Sequence, residues 1–173
     1  MPWIQPKPLD QYPWYIRFLF RLQKRKYGKI LESSKLWARS PRMFLGLSAF
    51  YGALDRKSSP LPPQLRACVM LRVSQMNRCS FCIALNSEIF TKRKGSEEKL
   101  AQLDNFYDNP LFSEKEKVAL MYAEAVTDRN QHISDLLASK LKVHFSEDEI
   151  VELTALIAFQ NCSNLFNTSL MVE

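Results

Sequence analysis

The chain has 173 residues, of which 46% are hydrophobic and 24% are charged, and its formal net charge is +6. This length fits one globular domain, and the composition excludes a disordered or fibrous protein, because both classes depart strongly from the globular average. No apolar run approaches the ~18 residues of a membrane-spanning helix and the N-terminus lacks a secretory-signal pattern, so we expect a cytoplasmic protein.

The charge is concentrated at the beginning of the chain. Residues 1–60 hold 12 Lys and Arg against 3 Asp and Glu, whereas residues 61–173 hold 12 against 15. A first helix is predicted over about 12–31, where Trp14, Phe18 and Leu22 recur at helical spacing among basic residues. Such a helix can bind nucleic acid or an anionic membrane. Because no nucleic-acid-binding motif accompanies it, we predict no nucleic-acid partner and favour a solvated helix face over membrane contact.

The next elements are also predicted to be helices. Ser40 and Pro41 have the pattern of an N-cap and a first-turn proline, and they open a helix that ends near residue 57. Prolines at 60, 62 and 63 mark a linker, since proline cannot continue a helix. The segment 64–76 is apolar on most sides, as a buried central helix is, and another helix is predicted over 79–95.

Serine caps divide the remaining sequence. A short helix is predicted over 96–106, and Ser134 caps another short helix. Ser113 and Ser146 are each followed three residues later by glutamate, the pattern of a capping box, and the helix after Ser146 should reach about residue 169. No segment alternates as a strand does, and glycines number only four. We therefore predict an all-α bundle of about seven or eight helices.

One motif carries possible chemistry. Cys79 and Cys82 form a CxxC at the start of a predicted helix, where backbone N–H groups favour a thiolate. Two alternatives stay open: the pair could be small core residues, as expected of Cys68 and Cys162, or could bind zinc. Zinc needs further ligands, and no second CxxC or His-x₃₋₅-His is present. We favour redox chemistry and expect neither a metal nor a cofactor.

Three segments carry a resemblance to a known family. They are the run from Leu61 to Asn86 that includes the CxxC, the segment 113–120, and the segment 158–164. The chain resembles the AhpD-like, carboxymuconolactone decarboxylase family over about residues 40–170. We accordingly divide it into a basic helical arm at 1–39 and an AhpD-like all-α domain at 40–173.

The resemblance implies a peroxide-reducing activity and an assembly into trimers or hexamers. Cys82 would attack a hydroperoxide, Cys79 would resolve the resulting sulfenic acid to a disulfide, and a thiol reductant, either a protein or a small thiol, would reduce it. Helix electrostatics alone would favour Cys79 as the more acidic thiol, because it lies nearer the N-terminus of the helix.

The chain departs from the family pattern at two positions. The family's proton relay has a glutamate twelve residues before the first cysteine and a histidine four residues after the second, and here these are Ala67 and Asn86. Asn86 shares a helical face with Cys79 and Cys82 and can donate a hydrogen bond, but it is no base at neutral pH. Loss of a general base typically costs ~10²–10⁴ in rate, so weak peroxidase activity is expected.

Three functional interpretations remain open. His132, His144 or Glu88 could replace the missing base. Alternatively, the chain is a redox-inactive oligomeric binding module whose basic arm contacts an acidic partner or a membrane. The decarboxylase chemistry after which the family is named is the third possibility, and no residue pattern indicates a lactone site.

Overall fold

A computed structural model describes residues 3–128 and 132–172. Within these residues the chain forms nine α-helices, two short 3₁₀ turns and no strand, which confirms the all-α prediction. The helices are α1 Trp14–Tyr27, α2 Glu32–Trp37, α3 Pro41–Leu54, α4 Pro63–Met76, α5 Ser80–Lys92, α6 Glu97–Ala101, α7 Glu114–Thr127, α8 Asp135–His144 and α9 Glu147–Ser169.

The first predicted helix ends earlier than expected, and a short helix that the sequence analysis did not predict follows it. Gly28 ends α1 in the left-handed conformation, with φ of 76°, which glycine adopts without steric cost. α1 therefore ends at Tyr27, four residues before the predicted end near residue 31. The chain then turns and forms α2.

Most predicted helix starts are confirmed by their hydrogen bonds. Ser113 and Ser146 each accept a hydrogen bond from a backbone N–H three residues on, and the glutamate there bonds back to complete a capping box. Ser134 caps α8 with a single hydrogen bond, which its side chain accepts from the Leu137 backbone N–H. Ser40 occupies the N-cap position of α3 but makes no side-chain capping bond, so Pro41 alone carries that start.

The buried centre of the bundle is α4, as its apolar sequence predicted. It packs against α5, α7 and α9, and its side chains at Ala67, Val69 and Val73 are fully buried. The bend between α4 and α5 is tight because Arg78 takes a positive φ of 51° and the Cys79 N–H donates to the Ser74 carbonyl at 3.2 Å. This bend places the CxxC at the N-terminus of α5.

The N-terminal helices pack on the bundle through a second apolar cluster. Ile16 and Phe20 of α1 are buried beside Phe44 of α3, and the Trp37 ring stacks on Phe166 of α9 at 3.7 Å. The basic segment therefore contacts the rest of the chain over one face. The division at residue 39 stays a prediction. No helix of the described residues is long and apolar enough to cross a membrane.

Candidate active site

The two cysteines of the CxxC are joined in a disulfide at the start of α5. Their Cα atoms lie 5.2 Å apart, and both side chains are buried. Cys79 is the N-cap residue, and its sulfur accepts a hydrogen bond from the Cys82 backbone N–H at 3.3 Å. Both sulfurs thus lie at the helix end where unpaired N–H groups favour negative charge.

Only one cysteine of the pair lines the cavity beside α5. A cavity of about 190 Å³ lies between the N-terminal helices, α3, α5 and α9, and Cys82 lines it while Cys79 does not. Most of its wall is apolar. The principal apolar side chains are Trp37, Phe44, Leu47, Met70, Phe81, Leu85, Ile89 and Phe159. A cavity of ~150 Å³ can hold benzene, so this one, which is partly open to solvent, has room for a substituted aromatic ring.

The group that contacts the Cys82 sulfur is Asn167 of α9. Its Nδ2 donates to Cys82 Sγ at 3.2 Å, and its Oδ1 accepts from the Ser33 hydroxyl at 2.6 Å. Because the serine occupies the amide oxygen, the amide nitrogen is oriented toward the sulfur. All three side chains are buried, so this hydrogen bond is shielded from water.

The surroundings of this contact are polar but uncharged. Asn86 and Gln160 each donate from their amide nitrogen to the Ser74 hydroxyl at 3.0 Å, and Asn164 Nδ2 donates to the Val73 carbonyl at 3.1 Å. Ser74 in turn donates to the Met70 carbonyl at 2.8 Å. Every one of these polar side chains is buried, and none is ionisable.

The titratable groups that line the cavity besides Cys82 are two tyrosines. Tyr27 Oη and Tyr51 Oη lie 3.3 Å apart, and Lys26 Nζ lies 5.3 Å from the centroid of each ring. Burial raises the pKa of Tyr51 well above its ordinary value, and the neighbouring Tyr27 and Asp55 raise it further. Tyr51 is therefore a neutral hydrogen-bond donor at neutral pH.

The predicted relay positions hold no acid or base. Ala67 is fully buried in the core. Asn86 lines the cavity, but its amide nitrogen bonds Ser74 and, at 3.5 Å, the Met70 carbonyl. The shared helical face suggested a hydrogen bond between Asn86 and the cysteine pair. The residue that makes such a bond, to the Cys82 sulfur, is Asn167. A catalytic part for Asn86 stays a prediction.

The proposed replacement bases lie elsewhere. His132 and His144 do not line the cavity, and Glu88 forms an exposed ion pair with Lys92 at 2.6 Å. A hydrogen bond from Lys92 lowers the pKa of Glu88. Of the arginines near the CxxC, Arg72 is paired with acidic side chains, among them Glu124.

The two remaining cysteines differ from each other. Cys68 is buried as predicted, and burial raises the pKa of its thiol to about 12. Cys162 is exposed, so its assignment to the core was wrong. The helical register explains the error, since Cys162 lies on the solvent side of α9, whereas Gln160 and Asn164 on either side of it are buried.

Sequence reasoning missed the residues that complete the site from a distance. Asn167, Ser33 and Tyr27 all lie at least 49 residues from Cys82 along the chain, and no short motif links them. Two of them belong to the basic N-terminal segment. Only the polar residues in the otherwise apolar α9 pattern gave a signal, because buried amides at helical spacing need partners.

Comparison with known proteins yields one family and several relatives. The model of the carboxymuconolactone decarboxylase family matches residues 41–125. An uncharacterized protein of Escherichia coli, YnjA, is 39% identical over 163 residues, which cover 94% of this chain and 90% of that protein.

Two solved structures illustrate the similarity in fold. The crystal structure of the debrominase Bmp8 in complex with 2,3,4-tribromopyrrole superimposes with a TM-score of 0.88 at 18% identity, covering 100% of this chain and 91% of that one. The crystal structure of a peroxidase-related protein from Ralstonia eutropha, described as an alkylhydroperoxidase AhpD core, superimposes with a TM-score of 0.88 at 19% identity. The match covers 98% of this chain and 90% of that one. At these identities the similarity shows the fold.

Proposed function

This chain belongs to the carboxymuconolactone decarboxylase family, and from that premise we propose that it is a CxxC-dependent thiol peroxidase of the AhpD-like type. One observation carries the proposal. The sulfur of Cys82 lies at the N-terminus of α5, accepts a hydrogen bond from Asn167, and borders an apolar cavity that can hold an organic hydroperoxide. The disulfide between Cys79 and Cys82 supports a resolving role for Cys79.

The reaction divides into three balanced steps. The Cys82 thiolate attacks the distal oxygen of ROOH; the O–O bond breaks, and with one proton the products are Cys82 sulfenic acid and ROH. The Cys79 thiol then displaces water from the sulfenic acid and forms the disulfide. A thiol reductant, either a protein dithiol or two equivalents of a small thiol, finally exchanges with the disulfide, restores both thiols and is itself oxidised to a disulfide.

The uncharged surroundings of Cys82 imply a slow enzyme. No Asp, Glu, His or Lys is among the described residues that line the cavity, so no positioned base removes the thiol proton there. The Asn167 amide and the end of α5 can favour the thiolate but cannot accept a proton. We therefore expect the peroxidase rate to be lower, by a factor of ~10²–10⁴, than that of an enzyme with a complete proton relay.

A second activity fits the same cavity. An aromatic wall and a dithiol can also support reductive dehalogenation, in which an aryl bromide and two thiols give the arene, HBr and a disulfide. The fold shared with a debrominase and the room for one ring favour testing this reaction beside peroxide reduction.

The test is a single turnover of the reduced protein. One equivalent of cumene hydroperoxide, hydrogen peroxide or tribromopyrrole is added, and the thiols are mapped by mass spectrometry after alkylation under denaturing conditions. Loss of two hydrogens confined to the Cys79–Cys82 peptide is expected. Cys82→Ser should abolish consumption of the oxidant, and Cys79→Ser should accumulate a sulfenic acid. A Cys162→Ser variant serves as the matched control.

Two outcomes would overturn the proposal. If all four thiols stay alkylatable with each oxidant, the cysteine pair is inert, and the redox-inactive binding module becomes the better description. If Cys82→Ser consumes the oxidant as fast as the parent protein, the chemistry occurs elsewhere.

A further inference from the structure

The outward side of α1 exposes a row of large apolar side chains. We call Trp14, Tyr15, Phe18 and Leu22 the outer α1 face; their exposed fractions run from 36% to 73%. The opposite side of the helix, with Ile16 and Phe20, is buried against the bundle. Within the described residues, the outer α1 face has no covering element. A helix whose two sides are both apolar needs a second environment besides the protein core.

The basic residues of α1 border this face mainly on one side. At 100° per residue, Trp14, Phe18, Leu22 and Tyr15 occupy an arc of about 100°. Arg17, Arg21 and Lys24 lie along one border of the arc, Arg25 lies within it, and Lys26 lies on the other border. The arrangement is thus an apolar stripe with a row of cations along one side and one cation inside it.

The electrostatic field of this surface is strongly positive. No acidic residue occurs between Asp10 and Glu32, and of the α1 cations in the described ion pairs only Lys26 is engaged, with Asp55 at 3.0 Å. Arg17, Arg21, Lys24 and Arg25 are exposed. A partner for this surface must therefore be anionic and must also accept apolar side chains.

We propose that the outer α1 face docks the protein on the surface of an anionic lipid bilayer. Trp14, Phe18 and Leu22 would enter the boundary between head groups and acyl chains, and the flanking cations would bind lipid phosphates, as in interfacial amphipathic helices. Tryptophan and tyrosine favour this boundary because their rings are apolar and their polar atoms reach water.

The charge pattern favours a bilayer over the other anionic or apolar partners. A second copy that met this face with the same face, as a twofold axis requires, would bring the cations of both copies together, which like-charge repulsion opposes. A nucleic acid would meet this face through its phosphates and would leave the exposed Trp14, Phe18 and Leu22 without an apolar partner.

Docking would also place the cavity near the lipid. The inward side of α1 contributes Gln23 and Tyr27 to the cavity wall, so one helix forms both the docking surface and part of the site. The docking itself does not depend on the proposed peroxidase activity, and its test uses binding alone.

The experiment is sedimentation of the full chain with vesicles. Vesicles of phosphatidylcholine and phosphatidylglycerol at 3:1 should bind the protein at least tenfold more tightly than pure phosphatidylcholine. Raising the salt concentration should weaken this binding, since surface charges are screened. A Trp14→Ser, Phe18→Ser, Leu22→Ser variant should lose at least tenfold in affinity. The matched control changes three exposed apolar residues of α8 and α9, Leu136, Val143 and Val151, to serine and should bind as the parent does.

A second variant tests the cations separately. Changing Arg17, Arg21 and Arg25 to glutamine should strongly reduce the salt dependence, whereas glutamine at the exposed Lys57, Lys140 and Lys142 should leave it nearly intact. All these side chains are exposed, and an unchanged circular dichroism spectrum verifies the fold of each variant.

Three results would overturn the docking proposal. The first is equal binding to charged and uncharged vesicles, or none to either. The second is a particle size, measured by light scattering, that falls in the apolar triple variant, because a second copy would then occupy the face. The third is binding of a nucleic acid duplex that is tighter than vesicle binding and is lost in the arginine variant.

Discussion

Two polar clusters lie in the same bundle and differ both in charge and in burial. The neutral cluster surrounds Cys82 and consists of Ser33, Ser74, Asn86, Gln160, Asn164 and Asn167. The charged cluster centres on Asp55 at the end of α3, whose carboxylate meets Lys26 at 3.0 Å, Arg66 at 3.6 Å and Arg93. Both clusters join the N-terminal half of the chain to the bundle.

The charged cluster around Asp55 has a structural role, whereas the neutral cluster around Cys82 has a chemical one. Buried charges are costly unless each has a partner, so the Asp55 cluster is held by mutual pairing and stabilises one arrangement of helices. Neutral amides and hydroxyls are cheaper to bury and can orient a dipole at a sulfur without a competing charge. The candidate site is thus built from dipoles, and the ion pairs lie elsewhere.

The strongest test of this contrast removes the centre of the charged cluster. Asp55→Asn should lower the free energy of unfolding by about 3 kcal/mol, because it leaves the buried Arg66 without its counter-charge. Denaturant unfolding measures the change. Glu88→Gln, which breaks an exposed ion pair with Lys92, is the matched control and should cost less than about 0.5 kcal/mol. Equal losses of unfolding free energy in the two variants would show that the Asp55 cluster contributes no more than an exposed ion pair.

The same residue predicts a dependence on pH. Burial alone would raise the pKa of Asp55, but the hydrogen bond from Lys26 and the charge of Arg93 outweigh it and lower the pKa below 3.8. Its stabilisation is therefore present above pH ~4 and lost as the pH falls through the folded pKa. Unfolding measured from pH 6 to 2 should show an acid loss that is smaller in Asp55→Asn than in the parent.

The next largest effect is expected inside the neutral cluster. Ser74→Ala should cost about 2 kcal/mol, because the Asn86 and Gln160 amides lose the oxygen to which both donate. Ser139→Ala removes an exposed hydroxyl that bonds the Asp135 carbonyl and should cost less than about 0.5 kcal/mol. A loss in Ser74→Ala that varies strongly between pH 5 and 8 would contradict the uncharged character of the cluster.

A smaller effect should appear at the sulfur itself. Asn167→Leu removes the donor to Cys82 Sγ and should move the midpoint of the pH profile for alkylation of the reduced Cys82 upward by about 1 unit. Ser33→Ala should shift it less, because Asn167 remains. Asn161→Leu, on the same helix but bonded to Asn77, is the control. An unmoved midpoint in Asn167→Leu would show that the helix end alone controls the thiolate.

The smallest expected effect concerns the other two thiols. Native oxidised protein should react with one equivalent of iodoacetamide, at Cys162, because Cys68 is buried and its pKa is raised to about 12. Peptide mass spectrometry before and after unfolding measures this directly. Rapid native labelling of Cys68 would show that burial does not suppress thiol reactivity in this bundle.

Local sequence patterns predicted most helices because capping and apolar periodicity depend on residues close together in the chain. The capping boxes at Ser113 and Ser146 involve residues three apart, and the apolar run of α4 follows from burial on most sides. The end of α1 was predicted about four residues too late, although Gly28 marks it, because basic and apolar residues continue past the glycine, and α2 was not predicted.

The sequence by itself determined the helical architecture, the family and the cysteine pair, since each depends on periodicity or on residues close together in the chain. The tertiary structure decided which residues surround that pair. It placed Asn167 rather than Asn86 against the Cys82 sulfur, made the N-terminal segment part of the cavity wall, and kept His132, His144 and Glu88 away from it. Such contacts join residues up to 134 positions apart, and only the packing of α1, α2 and α9 on α5 brings them together.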